Sequence, residues 1–171
     1  MQAPPFQLQP VEFHQKSILR NLMELYSYDF SEFERQAIGP DGLYGYHYLD
    51  HYWTESGREA FLISLEGEIA GFVLINQVMQ IPEHQDGHTI AEFFIMRKFR
   101  KKGLGKAVVF SVLDKYAGIW EVHCLYSNRI ALAFWQKVLQ EYCGERLQTR
   151  EYLRDGWEGL LMYFTNPSPS S

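Results

Sequence analysis

Between an extended apolar stretch, Thr89 to Met96, and a helical apolar one, Gly103 to Tyr116, the chain runs Arg100-Lys101-Lys102-Gly103-Leu104-Gly105-Lys106. This junction constrains the fold more than any other stretch. The helix it opens carries Leu104, Ala107, Val108, Phe110, Val112 and Leu113 on a broad apolar surface, so it must be buried against a sheet that includes the preceding strand. Glycines at a helix start also leave several backbone N–H groups unpaired and aimed one way. With Arg100, Lys101, Lys102 and Lys106 around them, they make an anion cradle suited to a pyrophosphate.

Spacing separates the phosphate loops that compete for this reading. A nucleotide-triphosphate loop needs four residues between its glycines and a hydroxyl after the lysine, whereas Gly103-Leu104-Gly105-Lys106-Ala107 has neither. A dinucleotide fingerprint needs a small residue where Val108 stands, and it should open a βαβ series instead of lying late in the chain. What remains is Arg-x-x-Gly-x-Gly directly after a strand and at the start of a helix.

The 171 residues, 46% of them apolar, are enough for one well-buried core and short for two, so the expectation is a single domain over residues 1–165. Residues 166–171, Asn-Pro-Ser-Pro-Ser-Ser, cannot bury surface and are expected to be a disordered tail. A net charge of −5 argues against nucleic acid as a partner, and the basic residues Arg97 to Lys106 are a local exception. No apolar run approaches the ~18 residues of a membrane span, and the N-terminus lacks a secretory pattern. Cys124 and Cys143 alone make no disulfide framework or zinc spacing. Together these features predict a cytoplasmic chain with neither a membrane nor a metal partner.

Periodicity orders the elements. A strand at Gln7 to Phe13 precedes a helix over 16–28, with Ile18, Leu19, Leu22, Met23, Leu25 and Tyr26 on its apolar face. Residues 31–57 are aromatic-rich and broken by Gly39-Pro40-Asp41-Gly42, which reads as short helical or irregular pieces. Two strands joined at Glu66-Gly67-Glu68 form a hairpin, and the strand before the basic turn follows. After the buried helix come a strand over residues 120–126, a helix with Asn128 at its N-cap position, and a hairpin around Asp155-Gly156. The order is β-α-(α)-β-β-β-α-β-α-β-β, an α+β class with a mixed, mostly antiparallel central sheet flanked by helices.

Residues 60 to 165, with Arg100-x-x-Gly103-x-Gly105 after the strand and Asn128-x-x-Ala131-x-x-Phe134-Trp135 after the next, resemble the GCN5-related N-acetyltransferase superfamily. The resemblance implies a GNAT-like fold and transfer of an acetyl group from acetyl-CoA, as cosubstrate, to an amine of a small molecule or peptide. It implies that Arg100, Lys101, Lys102, Gly103, Leu104, Gly105 and Lys106 hold the pyrophosphate, and that the backbone of Phe93, Phe94 and Ile95 pairs with pantetheine as a further strand. Asn128 is then expected on the opposite lip of the cofactor, a role compatible with capping its helix. Homodimers are common in the family.

The catalytic groups are read from chemistry. Glu92, a carboxylate in an apolar strand, is the expected base or water-bound relay; a salt-bridged or substrate-orienting role stays open beside it. The family's usual tyrosine acid is replaced by Trp135, whose indole N–H cannot supply a proton, so Tyr126, or Tyr142, is the expected substitute unless CoA leaves as thiolate. Cys124 reads as a core residue instead of a nucleophile. His47-x-x-Asp50-His51 has a spacing that clusters on a helix, but among so many tyrosines it reads as packed histidines. The acidic and aromatic residues of 31–57 lie where the family builds its acceptor wall, which suits a cationic amine. The competing functions are a non-catalytic acyl-CoA-binding module, motivated by Trp135, and a Rossmann-type nucleotide domain.

Overall fold

The computed structural model describes residues 5–154 and 156–167. One seven-stranded sheet carries the chain: β1 (Phe6–Pro10), β2 (Arg58–Leu65), β3 (Glu68–Asn76), β4 (His88–Ile95), β5 (Gly118–Leu125), β6 (Gln148–Arg154) and β7 (Trp157–Asn166), in the spatial order β1-β2-β3-β4-β5-β7-β6. Every neighbouring pair is antiparallel except β4 and β5. Helices α1 (Lys16–Glu34) and α2 (His51–Thr54) cover one face, and α3 (Leu104–Leu113) and α4 (Arg129–Cys143) the other. The element order is the expected one.

Each face has its own core. Trp120, Val122 and Met162 of the sheet meet Leu139 of α4 and the five buried side chains of α3. Each of those five contributes about 1.5–3 kcal/mol relative to exposure. On the other face Leu19 and Met23 of α1 pack on Phe72, Leu74 and Phe94 of the sheet. The β2–β3 hairpin closes through Glu66 and Gly67, both at positive φ (54° and 80°), as a tight turn matched to strand twist requires.

The departures from the expected boundaries have local causes. Helix α1 continues six residues beyond 28, because Phe30 packs on Tyr26 and Phe33 and faces Trp157 at 6.4 Å; left-handed Arg35 (φ 54°) ends it. The irregular segment after it is held on α1 by Glu24, whose carboxylate accepts the N–H of Tyr44 (2.7 Å) and of Gly45 (3.0 Å). Strand β1 stops at Pro10, past which the chain enters a 3-10 turn at Phe13–Gln15. Strand β7 runs through Asn166, whose amide donates to Leu113 O, while residues 168–171 of the expected tail and Asp155 of the expected hairpin turn lie outside the described residues.

Strand β4 is bent where the sheet changes direction. Its register with β3 slips between Leu74↔Glu92 and Ile75↔Ile90, which makes Ala91 the extra residue of a bulge. Ile90 and Ile95, an odd number of residues apart, therefore both face the α3/α4 core. On the outer flanks two strand glycines let β4 and β5 lean outward. A Cβ on Gly71 of β3 would stand 1.9 Å from Phe94 O, and one on Gly159 of β7 would stand 2.3 Å from Cys124 O. Gly71→Ala and Gly159→Ala are each expected to lower stability by about 2–3 kcal/mol in denaturant unfolding; an unchanged midpoint would show that the strands part without strain.

Candidate active site

Strands β4 and β5 start side by side and separate at once. They pair only at His88↔Trp120 and Thr89↔Glu121. Beyond that point the β5-facing edge of β4 has no strand partner, and a cleft of about 310 Å³ opens, bounded by residues 90–93 of one strand and 122–125 of the other. The gap joins the two faces of the sheet. On the α3/α4 side it meets Phe93, Ala131, Trp135 and Asn128; on the α1 side it meets Tyr26, Phe30, Tyr46, Glu92, His123 and Trp157.

The basic turn sits at the α3/α4 mouth. Lys101 (φ 62°) and Gly103 (φ 80°) take left-handed conformations, and among the described residues no backbone N–H from Lys101 to Lys106 donates to a carbonyl. That run of free donors at a helix N-terminus has the geometry that favours an anion. Several of its side chains are already engaged. Arg100 donates through Nε to Ile95 O (2.6 Å) and through its guanidinium to Asp29 (2.6 Å), so it clamps the end of β4 to α1. Burial alone would raise the Asp29 pKa, but Arg97 and Arg100 overcome it and hold the carboxyl below its ordinary value. Lys106 pairs with Glu141 of α4 at 2.6 Å. Lys101 and Lys102 are exposed cations at the cradle itself. Gly105 serves packing as well, since a Cβ there would lie 3.2 Å from the ring of Phe134.

Of the three strand residues expected along pantetheine, Phe93 and Ile95 point into the α3/α4 core and Phe94 into the α1 core. Phe93 stacks on Phe134 (5.9 Å, 11°) and tilts against Trp135 (5.4 Å). Their side chains build the walls, and the backbone edge is what the cleft receives. Asn128 lines the cleft and also caps α4, with Oδ1 accepting the N–H of Ala131 at 3.1 Å. Leu104 is fully buried.

Glu92 stands at the α1 side of the gap. Its Oε2 accepts the Tyr26 hydroxyl at 2.6 Å. Burial pushes its pKa up to about 7; the Tyr26 and Tyr46 hydroxyls oppose that shift by stabilising the carboxylate, and Glu34 adds to it. Both tyrosines are pushed up, first by burial and then by the Glu92 charge, so they remain hydrogen-bond donors. Tyr26, Tyr46 and Trp157 reach the site only through long-range packing. Of the three, Tyr46 lies in the aromatic-rich stretch 31–57, while Tyr26 read as a helix-face residue and Trp157 as a strand residue.

The remaining candidates fall elsewhere. Tyr126 is 37% exposed and is not part of the cleft lining. Tyr142 bonds Asp114 at 2.7 Å and packs on Phe110 and Phe164, away from the gap. Cys124 is a buried thiol pushed up to about 11 by burial, which removes it as a nucleophile. Trp135 is buried at the position expected to hold a hydroxyl. His47 lines the cleft, Asp50 pairs with Lys16, and His51 faces Glu55. Among the described residues no group of three His, Cys, Asp or Glu stands close enough to hold a metal ion, and no helix is long and apolar enough to cross a membrane.

A parted parallel pair beside an N–H cradle is the signature to compare with known proteins. The model of the acetyltransferase (GNAT) family matches residues 20–139, well over half of the sequence, and the chain belongs to that family. Solved structures agree in fold. An acetyltransferase from Thermus thermophilus superposes with a TM-score of 0.69 at 18% identity, covering 96% of this chain and 99% of that one. An aminoglycoside acetyltransferase in complex with coenzyme A gives 0.68 at 14% identity, covering 94% and 95%. The Vibrio cholerae spermidine N-acetyltransferase in complex with CoA and spermine gives 0.60 at 17%, covering 94% and 95%. A comparison with curated protein sequences finds no significant match.

The raised pKa of Glu92 has a consequence for stability. The folded chain keeps that proton between the ordinary value of 4.5 and about 7, where the unfolded chain has released it, so stability falls as pH rises through this window. Glu92→Gln stays neutral throughout. Its melting temperature is expected to gain on the native chain between about pH 5 and pH 8, and a constant difference would mean that Glu92 titrates normally.

Proposed function

We propose that this protein transfers an acetyl group from acetyl-CoA directly to a primary amine of a small molecule or peptide. The observation that carries the reading is the meeting, across one parted strand pair, of a free N–H cradle at 101–106 and a carboxylate poised near neutrality at Glu92. The cradle and the N-terminus of α3 receive the pyrophosphate, with Lys101 and Lys102 adding charge. The unpaired edge of β4 at Phe93 to Ile95 receives the pantetheine amides as a neighbouring strand would, and Asn128 meets the cofactor from the α4 side. The thioester then lies in the gap.

The acceptor enters from the α1 side as an ammonium ion and gives one proton to ionised Glu92. Its nitrogen attacks the thioester carbon; the C–N bond forms as the carbonyl electrons move to oxygen, where a β4 backbone N–H donates. Collapse breaks the C–S bond, and the departing thiolate takes the second proton from the nitrogen. With Trp135 at the usual tyrosine position, no dedicated acid is needed in this sequence of steps; Tyr126, outside the cleft lining, would have to swing inward to serve. The rings of Tyr26, Tyr46 and Tyr48, together with Glu34 and Glu92, suit a cationic amine. The structural neighbours that are spermidine and aminoglycoside acetyltransferases support an amine acceptor. The two cysteines, buried and unpaired, fit a cytoplasmic setting.

Trp135 favours one other reading, an acyl-CoA-binding module without turnover. Release of CoA thiol from acetyl-CoA across a broad amine panel decides between them, with activity expected to rise with pH through about 7. Glu92→Gln is expected to cut kcat on the order of 10²- to 10⁴-fold without loss of acetyl-CoA affinity. Acetyl-CoA binding without thiol release for any amine would favour the module. Gly103→Glu, which adds bulk and negative charge to the cradle, is expected to abolish acetyl-CoA binding in isothermal titration; retained affinity would remove the cradle from the account.

A further inference from the structure

His123 is a cleft residue for which the transfer steps leave no task. It lies on β5 between Val122 and Cys124, both of which face the α3/α4 core, so its ring projects to the α1 side, the side of Glu92. Two rings fix its plane: Tyr152 at 5.8 Å and 32°, and Trp157 at 5.6 Å and 68°. The Tyr152 hydroxyl is spent on Gln80 Oε1 at 2.8 Å. Nδ1 of His123 is buried and has no hydrogen-bond partner among the described residues. Such a group in a native fold calls for a reason.

The reason follows from which nitrogen can carry hydrogen. A second proton on the ring would leave a buried N–H at Nδ1 without an acceptor, and burial holds the imidazole pKa below its ordinary value. The carboxylate with the opposite influence, Glu121, is already held by the N–H groups of Gln80 (2.6 Å) and Ile81 (3.2 Å) and by His84 (2.7 Å). The ring is therefore neutral. Between its two tautomers, an orphaned lone pair at Nδ1 is the cheaper, because buried N–H groups without acceptors are the rarer defect. The hydrogen sits on Nε2, the nitrogen not sealed in this way, on a ring that lines the cleft.

We infer that His123 is a specificity-determining hydrogen-bond donor, whose Nε2–H meets an oxygen carried by the acceptor close to its amine. The acceptor then belongs to the oxygen-bearing amines, such as amino alcohols, amino sugars or α-amino carbonyl compounds, and not to plain alkyl amines. This rests on the amine-acetylating reading of the cleft. A donor aimed into a desolvated site rejects an analogue that cannot accept its bond, since the donor is left unpaired.

The test compares matched amines: ethanolamine with propylamine, glycinamide with butylamine, and glucosamine with cyclohexylamine, each with acetyl-CoA. The native protein is expected to favour the oxygen-bearing member of at least one pair on the order of 10- to 100-fold in kcat/KM. His123→Phe keeps the ring wedge and should collapse that preference toward unity by slowing only the oxygen-bearing member; His123→Asn, which restores a donor, should recover part of it. Because each comparison is a ratio within one protein sample, a loss of folded protein does not mimic it. Equal turnover within every pair, or a preference that survives in His123→Phe, overturns the role of His123 and leaves the acetyltransferase reading intact. Acetylation of none of the six amines overturns the role of His123, and the acetyltransferase reading falls with it only when the broad amine panel also releases no thiol.

Discussion

Everything distinctive in this molecule depends on a hydrogen-bond ladder that stops after two residues. A parallel pair inside a sheet would ordinarily satisfy its backbone along its whole length. Here β4 and β5 share only the pairs at His88 and Thr89, and the unpaired edges that result line the cleft. A ligand that carries amides can complete the ladder. In the proposed function, a pyrophosphate on the same ligand meets the N–H groups of residues 101–106.

The parting is built into the neighbouring strands. The bulge at Ala91 bends β4, while Gly71 and Gly159 let the Phe94 and Cys124 carbonyls approach the outer strands to distances that no side chain would allow. Asp29 then ties Arg97 and Arg100 to α1, which fixes where β4 ends and the cradle begins. The same geometry sets the chemistry. Since the gap runs through the sheet, Glu92 faces the α1 side while the basic turn faces the α3/α4 side, and the proposed function has donor and acceptor approach from opposite faces. Burial raises the Glu92 pKa to about 7 against the opposing hydrogen bonds of Tyr26 and Tyr46, so a small change in pH near that value changes its charge.

The cradle was legible in the sequence because its parts are contiguous: strand, basic turn, two glycines and apolar helix lie within 25 residues of one another on the chain, from Thr89 to Leu113. Asn128 was legible as a cap for the same reason. The acceptor side was not, because it is assembled from α1, the irregular segment, β4, β5 and β7. Residue type also says little about where a long side chain is spent: Arg100 and Lys106 read as phosphate ligands, yet their side chains engage Asp29, Ile95 O and Glu141, and only Lys106 keeps a backbone N–H without a carbonyl partner, since that of Arg100 donates to Arg97 O. Two signals were present and unused. Gly71 and Gly159 interrupt strand patterns, a mark of close backbone approach, and His123 is a polar residue in the alternating strand Trp120 to Leu125.

Amide hydrogen exchange of the full chain, with and without acetyl-CoA, tests the central claim most directly. The account predicts slowed exchange in two separated segments, the β4 edge within residues 91–95 and the turn at 101–106, together with smaller changes on the outer strands. Slowing confined to the turn would show that the parted strands receive nothing, and slowing in neither segment would contradict the account of the cleft altogether.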